Sequence, residues 1–297
     1  MEFTAKDVMA LRERSGAGMM DCKKALKECD GDIEKAMDYL REKSLAASAK
    51  KASRIAAEGL VDCFVCDKCG VGVIIEVNCE TDFVAKTDDF KALVANLAKH
   101  VAKMNPANVD EMMQQQYSEE EGKTVSDVIN GAVAKIGEKI TIRRFNRVEG
   151  IVDTYVHLGG KIGVLLQISN NEYPAVAHDV SMQIAAAKPT CLRREDCDQE
   201  DLEHEREILR EQAKNDPKNA KKPEAIIEKM IEGRIEKYYK EVCLLEQPFG
   251  KNPDQTVSEM INGRFEVIGF TRFEMGEGLQ KRNDNFADEV MAQTKKA

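Results

Sequence analysis

Ile33, Ala36, Met37 and Leu40 stand at the i, i+3, i+4, i+7 spacing that turns one face of a helix toward a core. Two shorter helical patterns precede them. Thr4 and Asp7 offer a near capping box for the first, which Ser15-Gly16-Ala17-Gly18 breaks. Cys22, Ala25, Leu26 and Cys29 mark the second, and Asp30-Gly31 supplies the next turn. Three short helices over residues 4–43 bury little surface, so the unit must lean on a neighbour or bind a partner. Residues 44–58 are rich in Ala and Lys with few large apolar groups, which predicts an exposed helical linker.

Two longer regions then read as copies. Val61-Asp62-Cys63-Phe64-Val65 returns as Val152-Asp153-Thr154-Tyr155-Val156, and Gly72-Val73-Ile74-Ile75 as Gly163-Val164-Leu165-Leu166, both 91 positions on. Each copy has the apolar runs and Gly-bearing tip of a β-hairpin. A helical stripe follows each: Phe90, Leu93, Val94, Leu97, Ala98 and Val101 in the first, Val180 and Ile184 with neighbouring Ala in the second. The octapeptide from Thr124 to Gly131 returns as Thr256 to Gly263. A strand-like run follows each time, Ile140 to Phe145 and Val267 to Phe273. The order hairpin, helix, short helix, strand predicts a small antiparallel sheet covered by helices in each copy.

Residues 198–245 interrupt the second copy. Leu202, Leu209 and Ala213 mark one helix; Ile227, Met230, Ile231, Ile235, Tyr238 and Val242 mark another. Asn215-Asp216-Pro217 and Pro223 separate them, so an antiparallel helical hairpin is expected. Phe286 and Val290 suggest a short amphipathic helix in the tail. The chain is thus expected to be a multidomain α+β protein. It divides into a three-helix unit with linker over 1–54, a first core half over 55–150, a second over 151–275 with its hairpin at about 195–245, and a C-terminal module over 276–297.

Composition narrows the function. Aromatics are 5% and Trp is absent, so the cores must be built from Ala, Val, Ile, Leu and Met. A net charge of −9 disfavours broad binding to phosphate backbones, so no direct nucleic-acid partner is expected. No apolar run is long enough to span a membrane, and the first residues carry charge throughout, which points to a cytoplasmic chain. There the nine Cys are mostly reduced thiols rather than a disulfide frame.

Two stretches carry a family resemblance. Leu11 to Leu26 (LRERSGAGMMDCKKAL) and Glu76 to Lys86 (EVNCETDFVAK) resemble the two signatures of elongation factor Ts, in family order; the family usually has Thr where Ser15 stands. The resemblance extends over essentially the whole chain. It implies a ubiquitin-associated-like three-helix domain, a two-part core, a protruding hairpin and a C-terminal module. It implies no catalysis and no cofactor, but nucleotide exchange on the GTPase elongation factor Tu, in its GDP-bound and nucleotide-free forms. By this resemblance Thr81, Asp82, Phe83 and Val84 enter the partner beside its Mg²⁺ site. Arg12, Met19 and Met20 contact a helix of the partner's GTP-binding domain, Ile136 and Gly137 add a further contact, and His157 reaches another partner domain. One copy, a homodimer or a 2:2 complex with the partner all stay open.

Residue type alone gives blander readings. Phe83 beside a helix start would pack inward, and Asp82 would be an ordinary turn residue. Met19 and Met20 are adjacent on a helix, so at least one must face out. Gly159-Gly160-Lys161-Ile162 lacks the spacing and the hydroxyl of a phosphate-binding loop, so the chain does not grasp nucleotide itself. Cys63, Cys66, Cys69 and Cys79 have the count for a zinc site. The matching positions of the second copy are Thr154, His157, Gly160 and Asn170, so the hairpin itself does not demand metal, and no metal site is assigned. The rival classes are a docking scaffold that leaves nucleotide release unchanged and a zinc- or thiol-dependent enzyme using these cysteines.

Overall fold

A computed structural model describes residues 3–216, 219 and 222–280. The tail pattern at Phe286 and Val290, and most of the expected C-terminal module, lie outside the described residues. The chain is of the α+β class, with helices packed on antiparallel sheets.

Three helices open the chain: α1 (Ala5–Ser15), α2 (Met19–Glu28) and α3 (Ile33–Lys51). The box expected at Thr4 forms, with Asp7 N–H donating to Thr4 Oγ1 and Thr4 N–H to the Asp7 carboxylate. Gly16 ends α1 at φ 69°, where a side chain would be strained. Val8, Leu11, Cys22, Ala25, Leu26, Ala36 and Leu40 make one small core. The third helix is longer than its apolar stripe. The Ala- and Lys-rich linker holds no breaker, so α3 runs on to Lys51. Its Arg41 donates to both carboxylate oxygens of Asp127, at 2.9 and 3.2 Å, so the bundle leans on the chain that follows.

That chain runs β1 (Glu58–Cys66), β2 (Val71–Cys79), α4 (Asp82–Ala85), α5 (Asp88–Met104), α6 (Val109–Gln114), α7 (Val125–Ile136) and β3 (Thr141–Glu149). The sheet order is β1-β2-β3, all antiparallel. The central strand β2 is buried throughout, on both faces. Val71, Val73, Ile75, Val77 and Cys79 meet Phe90, Val94, Leu97, Ala98 and Val101 of α5 in one core, while Ile74 points the other way, as the two-residue period of a strand requires.

Next come β4 (Ile151–His157), β5 (Ile162–Ile168), α8 (Pro174–Ala187), α9 (Gln199–Asn215), α10 (Glu224–Val242), β6 (Pro248–Phe249), β7 (Asn252–Thr256), α11 (Val257–Ile261) and β8 (Val267–Glu274). The second sheet has the order β4-β5-β8, again antiparallel. Val164, Leu166 and Ile168 pack with Val180 and Ile184 of α8, and Leu165 points away from them. The hairpin of α9 and α10 closes on Leu202, Leu209, Ile231 and Ile235.

The two sheets meet through Val61, Ile74, Leu165, Phe273 and Met275. The contact is reciprocal. A Cβ on Gly163 would stand 2.4 Å from Val61 and 3.2 Å from Ile74; one on Gly72 would stand 2.8 Å from both Val152 and Leu165. The residues of the second set lie 91 positions from their counterparts in the first. Each sheet leaves a glycine-sized gap for the other's valine. Glu76 is fully buried on this face. Its carboxylate accepts from Arg143 Nη1 at 2.9 Å, Arg144 Nε at 2.6 Å and the Gly276 amide at 2.8 Å, so one buried acid ties β3 and the chain after β8 to β2.

Candidate functional site

The stretch from Glu76 to Lys86 divides by role once it is folded. Glu76 and Cys79 are interior. Burial, reinforced by the nearby Glu138, pushes the Cys79 thiol up to about 12. Thr81 caps the four-residue α4, its hydroxyl accepting from Val84 N–H at 3.3 Å. Ala85 is buried and Val84 half-buried against the first core. Asp82 pairs with Lys86 at 2.5 Å, four residues on, and this bond holds its carboxyl below the usual range. Phe83 is left outside with 80% of its surface exposed. The inward reading that its residue type suggests does not hold, because α4 is so short that Val84 and Ala85 occupy its whole inner side.

A reciprocal latch holds this segment. Glu138 Oε2 accepts the backbone N–H of Glu80 and of Thr81, both at 3.0 Å, and Glu138 Oε1 accepts the Thr81 hydroxyl at 2.6 Å. In return the Glu80 carboxylate accepts Lys139 N–H at 2.6 Å and the Arg54 guanidinium at 3.2 Å. Lys139 Nζ donates back to the carbonyls of Ala52 and Arg54. Charged acceptors make such bonds stronger than neutral ones. Phe83 therefore rides on a turn fixed at its N-terminal side.

The latch brings Ile136 and Gly137 to the same place as Thr81–Val84. Gly137 ends α7 at φ 87°, with open space where a Cβ would be. Ile136 is half-buried against the first core. The remaining expected residues stand on other elements. Arg12 is exposed on α1. Met19 and Met20 open α2, 48% and 76% exposed, so both face out. His157 ends β4, half-buried, its Nδ1 2.8 Å from the Tyr155 hydroxyl. Among the described residues no hydrogen bond or ion pair joins these four to Thr81–Val84.

Glu80, Glu138 and Lys139 are what sequence reading missed. Glu138 directly follows the expected contact at Ile136-Gly137, but nothing local shows that a turn 57 residues away receives it. The candidate zinc cysteines separate instead of converging. Cys63 lies beside the contact between the sheets and donates to the Val164 carbonyl, whereas Cys79 faces the α5 core. Their odd positions fall on strands running in opposite directions, and the register of β1 against β2 pairs Cys63 with Ile74, which faces away from Cys79. Cys66 and Cys69 are disulfide-paired with each other at the hairpin tip.

Two like-ordered sheets, a small helical bundle and an exposed Phe on a latched turn make up an α+β protein. The family model for elongation factor TS matches residues 80–277, and the chain belongs to that family. Its members are nucleotide exchange factors of translation elongation and partner elongation factor Tu. Among the described residues no helix is long and apolar enough to cross a membrane.

Proposed function

We propose that this chain binds elongation factor Tu with GDP in place and drives the nucleotide out by pressing Thr81, Asp82, Phe83 and Val84 beside the partner's Mg²⁺ and phosphates. Arg12, Met19 and Met20 grip the partner's GTP-binding domain, Ile136 and Gly137 extend the contact at the latch, and His157 reaches a second partner domain. The observation that supports this reading is Phe83: a large apolar side chain, 80% exposed, on a turn secured by three bonds to Glu138.

A GTPase holds its nucleotide through backbone amides, a Lys and Mg²⁺ around the phosphates. A factor speeds release only by favouring the distorted, emptied state. By linkage the nucleotide weakens the factor as much as the factor weakens the nucleotide. Burying Phe83 in the partner yields roughly 1.5–3 kcal/mol, and about 1.4 kcal/mol is tenfold in an equilibrium. One side chain is too little against a tightly held nucleotide. The N-terminal bundle and the second half must supply the rest, which fits contacts spread over separate elements.

Stopped-flow release of fluorescent GDP from elongation factor Tu tests the proposal. The intact chain should accelerate release, and Phe83→Ala should fold normally yet slow the accelerated release by roughly tenfold or more. Binding without any change in the off-rate would make the chain a docking scaffold instead.

A further inference from the structure

Three cysteines outside the exchange surface converge at the foot of the helical hairpin. Cys191 and Cys197 flank the short turn at Arg194–Asp196 that leads into α9, and Cys243 caps the end of α10. Cys191 and Cys197 are disulfide-paired in this structure, and the free Cys243 sulfur lies 3.5 and 3.4 Å from them. Cys191 and Cys243 are buried and Cys197 half-buried. Among the described residues this is the one place where three metal-ligating side chains bring their donor atoms within 4.8 Å of one another.

We propose that in the reduced chain Cys191, Cys197 and Cys243 form a trithiolate site for a thiophilic cation, Zn²⁺ being the one expected, which clasps the two feet of the hairpin together. Four observations support the site. A translation factor works where thiols are kept reduced, so a stable disulfide is not the expected resting form. A disulfide uses two sulfurs and leaves the third unexplained. Zinc–sulfur bonds of about 2.3 Å in tetrahedral array set sulfurs roughly 3.8 Å apart, close to the two distances made by Cys243. The surroundings favour a cation: Glu195 and Asp196 stand in the turn just before Cys197, Glu246 follows Cys243 by three residues, and Arg194, the basic group beside them, is already paired with Glu236 and Glu246.

Loading exchanges three S–H bonds for three S–Zn bonds and releases three protons. A fourth position remains for water or a neighbouring carboxylate. The clasp spans 46 residues between Cys197 and Cys243 and so fixes where the hairpin leaves the second sheet.

The test is titration of the full-length, reduced chain with Zn²⁺ against a chromophoric chelator, in a Cys66→Ser/Cys69→Ser background that removes the other cysteine pair. One equivalent should bind. Cys243→Ser and, separately, the less buried Cys197→Ser should each weaken binding by more than the roughly 10–100-fold that loss of a residue merely bonded to a ligand costs. Zinc should raise the melting temperature of the chain that keeps Cys191, Cys197 and Cys243 and leave that of Cys197→Ser unchanged. The absence of a stoichiometric site, or binding by the Cys197→Ser and Cys243→Ser chains as tight as that of the chain keeping Cys191, Cys197 and Cys243, would overturn the assignment. So would a Cys191–Cys197 disulfide that persists in protein taken directly from a reducing cytosol.

Discussion

Glu138 accepts the Thr81 hydroxyl at 2.6 Å and the Thr81 amide at 3.0 Å, although 57 residues separate them. The pair joins the end of α7 to the start of α4. It sets the pose of Phe83 without touching it. Exposed apolar groups on loose turns lose part of their binding energy to ordering; in the role proposed for Phe83, the latch removes much of that loss in advance.

Glu138→Ala removes three charge-assisted bonds at once. Urea denaturation should show a loss of about 1–3 kcal/mol, because the freed amides regain some solvent. Amide hydrogen exchange at Glu80 and Thr81 should quicken, and GDP release from the partner should slow although Phe83 is intact. Native release rates with a loosened turn would show that the latch is only structural.

The glycine gaps between the sheets predict a paired rescue. Gly163→Ala places a Cβ against Val61, and overpacking of this kind costs about 1–3 kcal/mol. Val61→Ala in the same chain should recover much of it. A double-mutant cycle should give a coupling of at least about 0.5 kcal/mol. Strict additivity would mean that the sheets do not meet at this point in solution.

Glu76→Ala should destabilise the core more than Phe83→Ala, since Glu76 is fully buried and Phe83 is exposed. It leaves the guanidinium groups of Arg143 and Arg144 without their shared acceptor and the Gly276 amide unbonded. Breaking a fully buried pair costs roughly 3–5 kcal/mol; these two arginines keep some solvent, so about 2–3 kcal/mol is expected in chemical denaturation. Because Gly276 follows β8, the second half should lose protection along with the first.

His100 gives the fold a pH dependence of known sign. It is buried; its Nδ1 accepts from Ser118 N–H at 3.2 Å, so Nε2 carries the proton toward Gln115 Oε1 at 3.1 Å. Burial lowers its pKa below the ordinary 6.5, and the Gln115 bond opposes that only in part. The unfolded chain then binds the proton better, so the contribution is complete above about 6.5 and is lost as pH falls below it, through the folded-state value. Thermal melts across this range should fall more steeply for the intact chain than for His100→Gln. Parallel curves would remove His100 as the cause.

Helix stripes and hairpin runs were legible because they rest on local periodicity. The stripe from Phe90 to Val101 is the buried face of α5, and Thr4, Thr124 and Thr256 all cap helices through the third residue that follows. The α+β class was legible for the same reason. The latch was not. Glu80, Glu138 and Lys139 are charged residues of ordinary surface type, and only folding makes them partners. The outward pose of Phe83 was not legible from residue type, since a Phe beside a helix start is commonly inward. The gathering of Cys191, Cys197 and Cys243 spans an entire hairpin, while the closely spaced Cys63 and Cys79 are parted by strand register.

The repeated octapeptide shows where the two kinds of determination divide. Thr124 and Thr256 each accept an amide from the residue three places on, Asp127 and Glu259, at 3.2 Å, and each receives its side chain in return. Four residues suffice for that bond set, so the sequence by itself settles that a helix starts at both places. The ends differ although both carry Asn-Gly. Asn130-Gly131 continues inside α7 to Ile136, whereas Asn262 turns left-handed at φ 47° and closes α11. Val133 is buried against the first core two residues beyond Gly131, while Phe265 and Val267 are buried in the second as the chain enters β8. Where a helix stops depends on which surface takes up the next apolar side chain, and that surface exists only after distant strands have paired.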